Sequence, residues 1–279
     1  MNRVTLPPTA FLGAGSMARA IIAGLQASDV AVVGGIRTTN RSAERAAELA
    51  SSRVTAYATE TDAEANRRAV RGAGLVIIAV KPAMVPDLLL EIADALDPHA
   101  VVVSVAAGVT TARCEELLPV SVAVIRAMPN TPALVRRAVT GISVGSRASA
   151  TDLALAVTLF EAVGEVLVVP EGQIDALSAI SGSGPAYVFY LIEQVTTAAR
   201  TQGFTDAEAK TLVEETFRGA SELLAASSED PAELRRRVTS PNGTTERAIA
   251  VLTAANLAQV FERATDAALA RAYELATGV

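Results

Sequence analysis

Up to about residue 170 this chain alternates short apolar runs with amphipathic stretches, and beyond that point the apolar runs stop. The runs at 10–12, 30–34, 54–57, 75–80, 101–105 and 122–127 read as strands. Helical spacing fills the gaps at 16–27, 42–51, 61–71, 83–96 and 111–118. Strands separated by helices of that length need crossover connections, which predicts a doubly wound, mostly parallel sheet. A run at 141–144, a helix over 151–163 and a run at 166–169 extend it. The first strand is short because Pro7-Pro8 cannot join a central ladder. From Gln173 onward helical patterns take over, at 175–203, 205–226, 231–238, 244–252 and 257–276. The boundary is placed near Pro170, giving an α/β domain over 1–170 and an all-helical domain over 171–279.

A glycine pattern falls at the first strand-to-helix joint. Gly13, Gly15 and Ala18 match G-x-G-x-x-A in Gly13-Ala14-Gly15-Ser16-Met17-Ala18. In that position the first glycine permits the tight turn and the second leaves room for a pyrophosphate. The alanine lets the helix pack on the sheet, and the helix N-terminus attracts the phosphate charge. The pattern marks the α/β half as a Rossmann-like dinucleotide-binding domain. An NAD site places Asp or Glu at the end of the second strand, where it binds the ribose hydroxyls. This chain has Arg37-Thr38-Thr39-Asn40-Arg41-Ser42 there, with no acid, so NADPH is the expected coenzyme and NADH the alternative. The same residues also suit the start of a helix capped by Asn40 or Ser42.

Composition narrows the function classes. The 279 residues are 51% hydrophobic and 19% charged, enough for a buried core in one or two soluble domains. A net charge of −6 argues against a nucleic-acid surface, and Arg235-Arg236-Arg237 suits a solvated helix face. A single cysteine, Cys114, excludes an internal disulfide and lacks the neighbours of a metal site, so no metal is expected. Met1 to Pro8 is too broken by proline for a signal segment, and 75–80 is too short to cross a bilayer. A cytoplasmic protein without membrane or nucleic-acid partners is the expectation. Farther on, Ile180-Ser181-Gly182-Ser183-Gly184-Pro185-Ala186-Tyr187 sets two glycines and a proline into a helical region. Small residues cost helix stability and allow another surface to come close.

Several segments together resemble pyrroline-5-carboxylate reductase. They are Ala79-Val80-Lys81-Pro82, Ser104-Val105-Ala106-Ala107-Gly108-Val109, Arg126-Ala127-Met128-Pro129-Asn130-Thr131-Pro132, Ser181 to Tyr187, and Thr239-Ser240-Pro241-Asn242-Gly243-Thr244-Thr245. They occur in the family's order along nearly the whole chain, and the last two are the most specific. The resemblance implies reduction of 1-pyrroline-5-carboxylate to L-proline by NADPH. It assigns Leu12, Gly13, Ala14, Gly15, Ser16 and Met17 to the pyrophosphate, and Asn40 and Arg41 to the 2′-phosphate. Asn66 matches an asparagine at the adenosine half, while Ala79, Val80, Lys81, Pro82, Val105, Ala106 and Ala107 would line the route to the nicotinamide. Lys81 invites a catalytic role, but pairing with a carboxylate or with the coenzyme is the simpler reading.

By the same resemblance the N–H groups of Gly243, Thr244 and Thr245 face the substrate carboxylate, and the Thr245 hydroxyl reaches the ring nitrogen. Glu171 matches a glutamate near bound proline, and Ser178 stands where a threonine is common. Asn242 replaces the first glycine of the usual Ser-Pro-Gly-Gly. The helical half matches a dimerisation domain that interlocks with a second copy. A homodimer is therefore expected, and the family often joins five dimers into a decamer. An imine accepts hydride without a strong general acid, which fits a chain whose one histidine, His99, falls in a loop at the wrong edge of the sheet. One rival is a β-hydroxyacid dehydrogenase, but that family carries a catalytic lysine on the long helix, and 175–200 contains none. The other is a non-catalytic nucleotide sensor, against which the intact Thr244-Thr245 pair argues.

Overall fold

The computed structural model describes residues 5–277; Met1 to Val4, half of the stretch read as lacking a signal segment, fall outside that range. Ten strands form. They are β1 (Thr5–Leu6), β2 (Thr9–Leu12), β3 (Ala31–Val32), β4 (Ile36–Asn40), β5 (Val54–Ala58), β6 (Leu75–Ile78), β7 (Val101–Ser104), β8 (Ala123–Met128), β9 (Ala138–Val144) and β10 (Gly164–Val168). Eight of them make one sheet in the order β10-β9-β8-β7-β6-β2-β4-β5. Every pairing is parallel except β8 with β9. From β2 the chain steps outward through β4 and β5, then returns to the other side for β6, β7 and β8. That is the dinucleotide-binding strand order, with its switch point between β2 and β6.

The second strand lies a few residues later than the apolar pattern suggested. Ala31–Val32 is only a two-residue parallel ribbon with Thr5–Leu6, and the sheet strand is Ile36–Asn40. Gly34 and Gly35, with φ of 82° and 80°, turn the chain between them. A side chain on Gly34 would lie 2.7 Å from the Pro8 ring, so this turn and the Pro7-Pro8 interruption fit together.

Central strands are buried along their whole length, which is why they read as unbroken apolar runs. Alternate residues serve opposite faces. Phe11, Ile77, Val103 and Ile125 join a core with the helices Ser16–Ala27 and Ala150–Glu161. Leu12, Ile78, Val102 and Val124 join one with Ala65–Val70, Val85–Ile92 and Thr111–Leu117.

After β10 the chain does not enter one long helix. A short helix, Ile174–Leu177, is followed by a π-helical turn over Ser178–Gly182 and then by Gly184–Thr201. Ile174 and Leu177 lie over Gly141 of β9, where a side chain would meet the Leu177 methyl at 2.6 Å. By compactness the described chain forms two units, residues 5–183 with 268–277, and residues 184–267. The second is built from Gly184–Thr201, Asp206–Ala226, Pro231–Arg237, Thr244–Ala254 and the start of Leu257–Thr277. Among its described residues only Ala209 and Val213 are buried, although Tyr187 and Phe261 meet edge to face.

Candidate active site

Gly13 adopts φ 81°, and a side chain on it would stand 2.6 Å from Val80 Cγ1 and 3.0 Å from the Ala79 carbonyl. Only glycine fits there without displacing the end of β6. Gly15 is different. It precedes the helix Ser16–Ala27 without any side-chain cap, and a side chain on it would find only the Gly13 carbonyl, at 3.9 Å. Its smallness is thus not demanded by the chain's own packing, and the first N–H groups of the helix are left for an anion.

The end of β4 holds this elbow. The Gly13 and Ala14 N–H groups donate to the Thr39 carbonyl, and Gly13 N–H also reaches Thr39 Oγ1. Asn40 is buried, and its Nδ2 donates to the Ala14 carbonyl at 2.9 Å while its Oδ1 has no partner among the described residues. Asn40 therefore supports the phosphate turn with one end of its amide and offers the other. Arg37 is turned elsewhere, donating to the Arg71 carbonyl.

An open cleft of about 580 Å³ runs along the strand ends. It brings together Gly13, Gly15, Asn40, Arg41, Asn66, Ala79, Val80 and Lys81 from the expected coenzyme residues. Arg45 and Thr59 line it as well, so a second guanidinium faces the cleft from the helix Ala43–Ala47. The sequence held a signal for Arg45, which lies one helical turn beyond Arg41. Glu91 and Asp87 line the opposite wall, and Asn66 Nδ2 donates to both Glu91 oxygens at 3.1 Å. Lys81 is exposed and has no ion pair with a carboxylate among the described residues. Leu12 is buried at the strand end before the turn, and Pro82 opens a short helical turn after Lys81. Val105, Ala106 and Ala107 follow β7 on the same rim, with Gly108 at φ 72° turning the chain away. His99 is exposed in the loop before β7, its N–H donating to Asp97.

Glu171 belongs to a second cluster, whose pairing the sequence does not announce. Arg126 on β8 is 2% exposed, yet charged. Its partners are Asp175 at 2.5 Å and Glu171 at 3.8 Å. The Glu171 oxygens also accept from the Thr111 N–H and hydroxyl, both at 2.7 Å. Glu171 is thus engaged inside the chain, bracing the start of the helix Thr111–Leu117. Nothing in the local sequence marks this pairing, since the partners lie 45 and 49 positions from Arg126. Cys114, on that helix, is buried beside the cluster, and burial together with the Glu171 charge pushes its thiol up to about 11. Ser178 opens the π-helical turn, and a side chain on Gly182 would come within 2.9 Å of its hydroxyl.

In the helical unit, Asn242 adopts φ 60°, the left-handed conformation that the asparagine substitution anticipates. Gly243 precedes the helix Thr244–Ala254 with no side-chain cap. Its own N–H donates to the Ser240 carbonyl at 3.0 Å, while the N–H groups of Thr244 and Thr245, in the first helical turn, have no partner outside the helix among the described residues. A side chain on Gly243 would stand 2.5 Å from Ser240 Oγ, which explains the glycine. Glu246 accepts from the Asn242 N–H and closes the loop on itself. Thr245 is half-buried, and its hydroxyl has no hydrogen bond among the described residues.

Comparison with known proteins agrees in both halves. Residues 171–275 match the family model for pyrroline-5-carboxylate reductase dimerisation, and residues 8–108 match that of coenzyme F420-dependent NADP oxidoreductases. The pyrroline-5-carboxylate reductase of Pseudomonas aeruginosa is 40% identical, covering 98% of each chain. The structure of a pyrroline-5-carboxylate reductase from Coxiella burnetii superposes with a TM-score of 0.86 at 36% identity, over 96% of this chain and 97% of that one. A Plasmodium falciparum pyrroline carboxylate reductase, solved with NADP bound, shares the fold at 23% identity and a TM-score of 0.81, over 96% and 98%.

Proposed function

The chain belongs to the pyrroline-5-carboxylate reductase family, and on that premise we propose how its own residues divide the work. It is an NAD(P)H-dependent oxidoreductase that reduces the cyclic imine 1-pyrroline-5-carboxylate to L-proline, completing proline biosynthesis. The observation that carries the coenzyme assignment is the elbow, where Gly13 is fixed by contact and Gly15 leaves open space before an uncapped helix. That geometry fits a pyrophosphate on the N–H groups of Ser16 and Met17, with Leu12, Ala14 and the two glycines shaping the turn. Arg41 and Arg45 hold the 2′-phosphate, which favours NADPH over NADH, and Asn40 Oδ1 offers an acceptor to a neighbouring ribose hydroxyl. Asn66 borders the adenosine half. Ala79, Val80, Lys81, Pro82, Val105, Ala106 and Ala107 guide the other half along the rim, with Lys81 pairing to the coenzyme. When bound, the coenzyme supplies the hydride.

The substrate carboxylate is held by the N–H groups of Thr244 and Thr245, with Gly243 allowing the close approach. The unpartnered Thr245 hydroxyl hydrogen-bonds the ring nitrogen and orients the imine carbon toward the hydride. Glu171, from within its brace, and Ser178 complete the surroundings of the substrate. No strong general acid is required, because a protonated imine is already electrophilic.

Segment 171–279 serves dimerisation and substrate binding, and 1–170 serves the coenzyme. A homodimer is supported by a helical unit that leaves Phe189 62%, Tyr190 61% and Val251 70% exposed, far more apolar surface than its own packing covers. Assembly of such dimers into a decamer, and a cytoplasmic location, belong to the same reading; among the described residues no helix is long and apolar enough to cross a membrane. The test is the fall of NADPH absorbance on adding 1-pyrroline-5-carboxylate. Thr245→Ala is expected to slow turnover about tenfold or more while NADPH affinity stays unchanged. Normal turnover in that variant removes Thr245 from the reaction, and absence of turnover in the unaltered protein refutes the whole assignment.

A further inference from the structure

We infer that Asn130 is a positioning residue for the reduction, clamping the π-helical turn Ser178–Gly182 at the rim of the sheet beside the reacting end of the coenzyme site. This rests on the reductase reading above. Asn130 follows the end of β8 and is 7% exposed. Its Nδ2 donates to the Ser181 carbonyl at 2.9 Å, and its Oδ1 accepts from the Val139 N–H at 2.9 Å. One carboxamide therefore ties together the end of β8, the start of β9 and the turn, with both its ends used.

The turn it holds is unusual. The Ser183 N–H donates to the Ser178 carbonyl, five residues back, and the Ser181 hydroxyl donates to the Leu177 carbonyl. Such widened turns interrupt a helix at a cost, and they concentrate at functional positions. Ser181 is thus anchored through both its hydroxyl and its carbonyl, while the bare Cα of Gly182 leaves the Ser178 hydroxyl uncovered.

The position on the rim gives this clamp its role. In a fold of this strand order the coenzyme lies across the switch point between β2 and β6. The two guanidiniums and Asn40 assign its phosphorylated adenosine end to the β4 side. The other end must then run past β6 and β7 toward β8, which ends at Met128, two residues before Asn130. A buried amide with both groups satisfied fixes geometry more strictly than an apolar side chain of the same size would. Filling the space alone would need no such group.

The experiment is Asn130→Asp, which keeps the acceptor for Val139 and turns the donor at Ser181 into a repelling oxygen. KM for 1-pyrroline-5-carboxylate is expected to rise about tenfold or more, with the NADPH Kd, read by its fluorescence, unchanged. Amide exchange across 178–184 accelerates in the same variant. Gly182→Ala crowds Ser178 from the other side and should give the same split without touching Asn130, so it decides the matter if Asn130→Asp does not fold. An unchanged KM in the folded variant overturns the inference, as does loss of NADPH affinity in parallel with substrate affinity. Turnover by the unaltered protein is the control: its absence sinks the reductase reading, whereas its presence with an unchanged KM sinks only the role of Asn130.

Discussion

Replacing Gly13 by alanine tests the coenzyme elbow most directly, because the structure sets the magnitude in advance. The backbone there, at φ 81°, penalises any residue with a Cβ by roughly 1–2 kcal/mol. The new methyl would also meet Val80 Cγ1 at 2.6 Å and the Ala79 carbonyl at 3.0 Å, an overpacking worth about 1–3 kcal/mol. The coenzyme-free protein can relieve part of this by letting the elbow drift, but the bound form must restore it. Most of the penalty, about 2–5 kcal/mol in all, should therefore fall on binding, weakening NADPH at least about tenfold. Gly15→Ala is the matched control. Its methyl meets nothing nearer than 3.9 Å, so stability should hold and any loss of affinity measures the room the phosphate needs. NADPH emission is a clean probe, since the chain has no tryptophan to transfer energy. Adding Val80→Ala to Gly13→Ala should recover the part due to Cγ1 and leave the backbone part. The reasoning fails if Gly13→Ala binds NADPH as tightly as the unaltered protein, or if Val80→Ala recovers nothing.

Two further predictions concern charge. Arg41→Ala and Arg45→Ala should each weaken NADPH about ten- to hundredfold by removing a charge-assisted contact to the 2′-phosphate, with NADH affinity little changed; equal losses for both coenzymes would contradict the assignment. Cys114 stays protonated in the fold up to about pH 11, against 9.0 for an ordinary thiol. Its unfolded form thus ionises first, so the stability present in full below pH 9 declines as pH climbs toward 11, by up to about 3 kcal/mol. Denaturant titrations should show that slope reduced in Cys114→Ala, and an identical alkaline decline in both proteins would refute it.

The elbow was legible because its signal is local: two glycines, a strand before them and a helix after them. The second strand was misplaced for an equally physical reason. In Ile36–Asn40 the only buried apolar side chain is Ile36; Thr38, Thr39 and Asn40 are buried too, and two of these three bond the elbow instead of joining the apolar core. A hydrophobicity pattern undervalues a strand whose interior groups are chosen for hydrogen bonding, so the more apolar 30–34 looked stronger. The helix expected over 175–203 fails at Ser178–Gly182, where small polar residues anchored by Asn130 favour a wider turn. The loop before Thr245 could be read from the family motif, with Asn242 in place of its first glycine. Arg126 could not, because a lone arginine inside an apolar strand pattern announces its burial only through partners brought near by folding.

The Arg126 cluster also constrains how such a protein could be divided or recombined. A gene fragment stopped at Pro170 would contain every strand of the sheet yet lack Glu171 and Asp175, leaving a guanidinium sealed inside with nothing to neutralise it. Such a piece forfeits several kcal/mol, roughly 3–5 by analogy with other severed internal pairs. A nucleotide-binding module excised for engineering should therefore run to Ser183, and a helical module grafted onto a foreign sheet at residue 171 would bring two acids in search of a base. The seam at which evolution can exchange these halves is displaced from the one drawn by strands and helices.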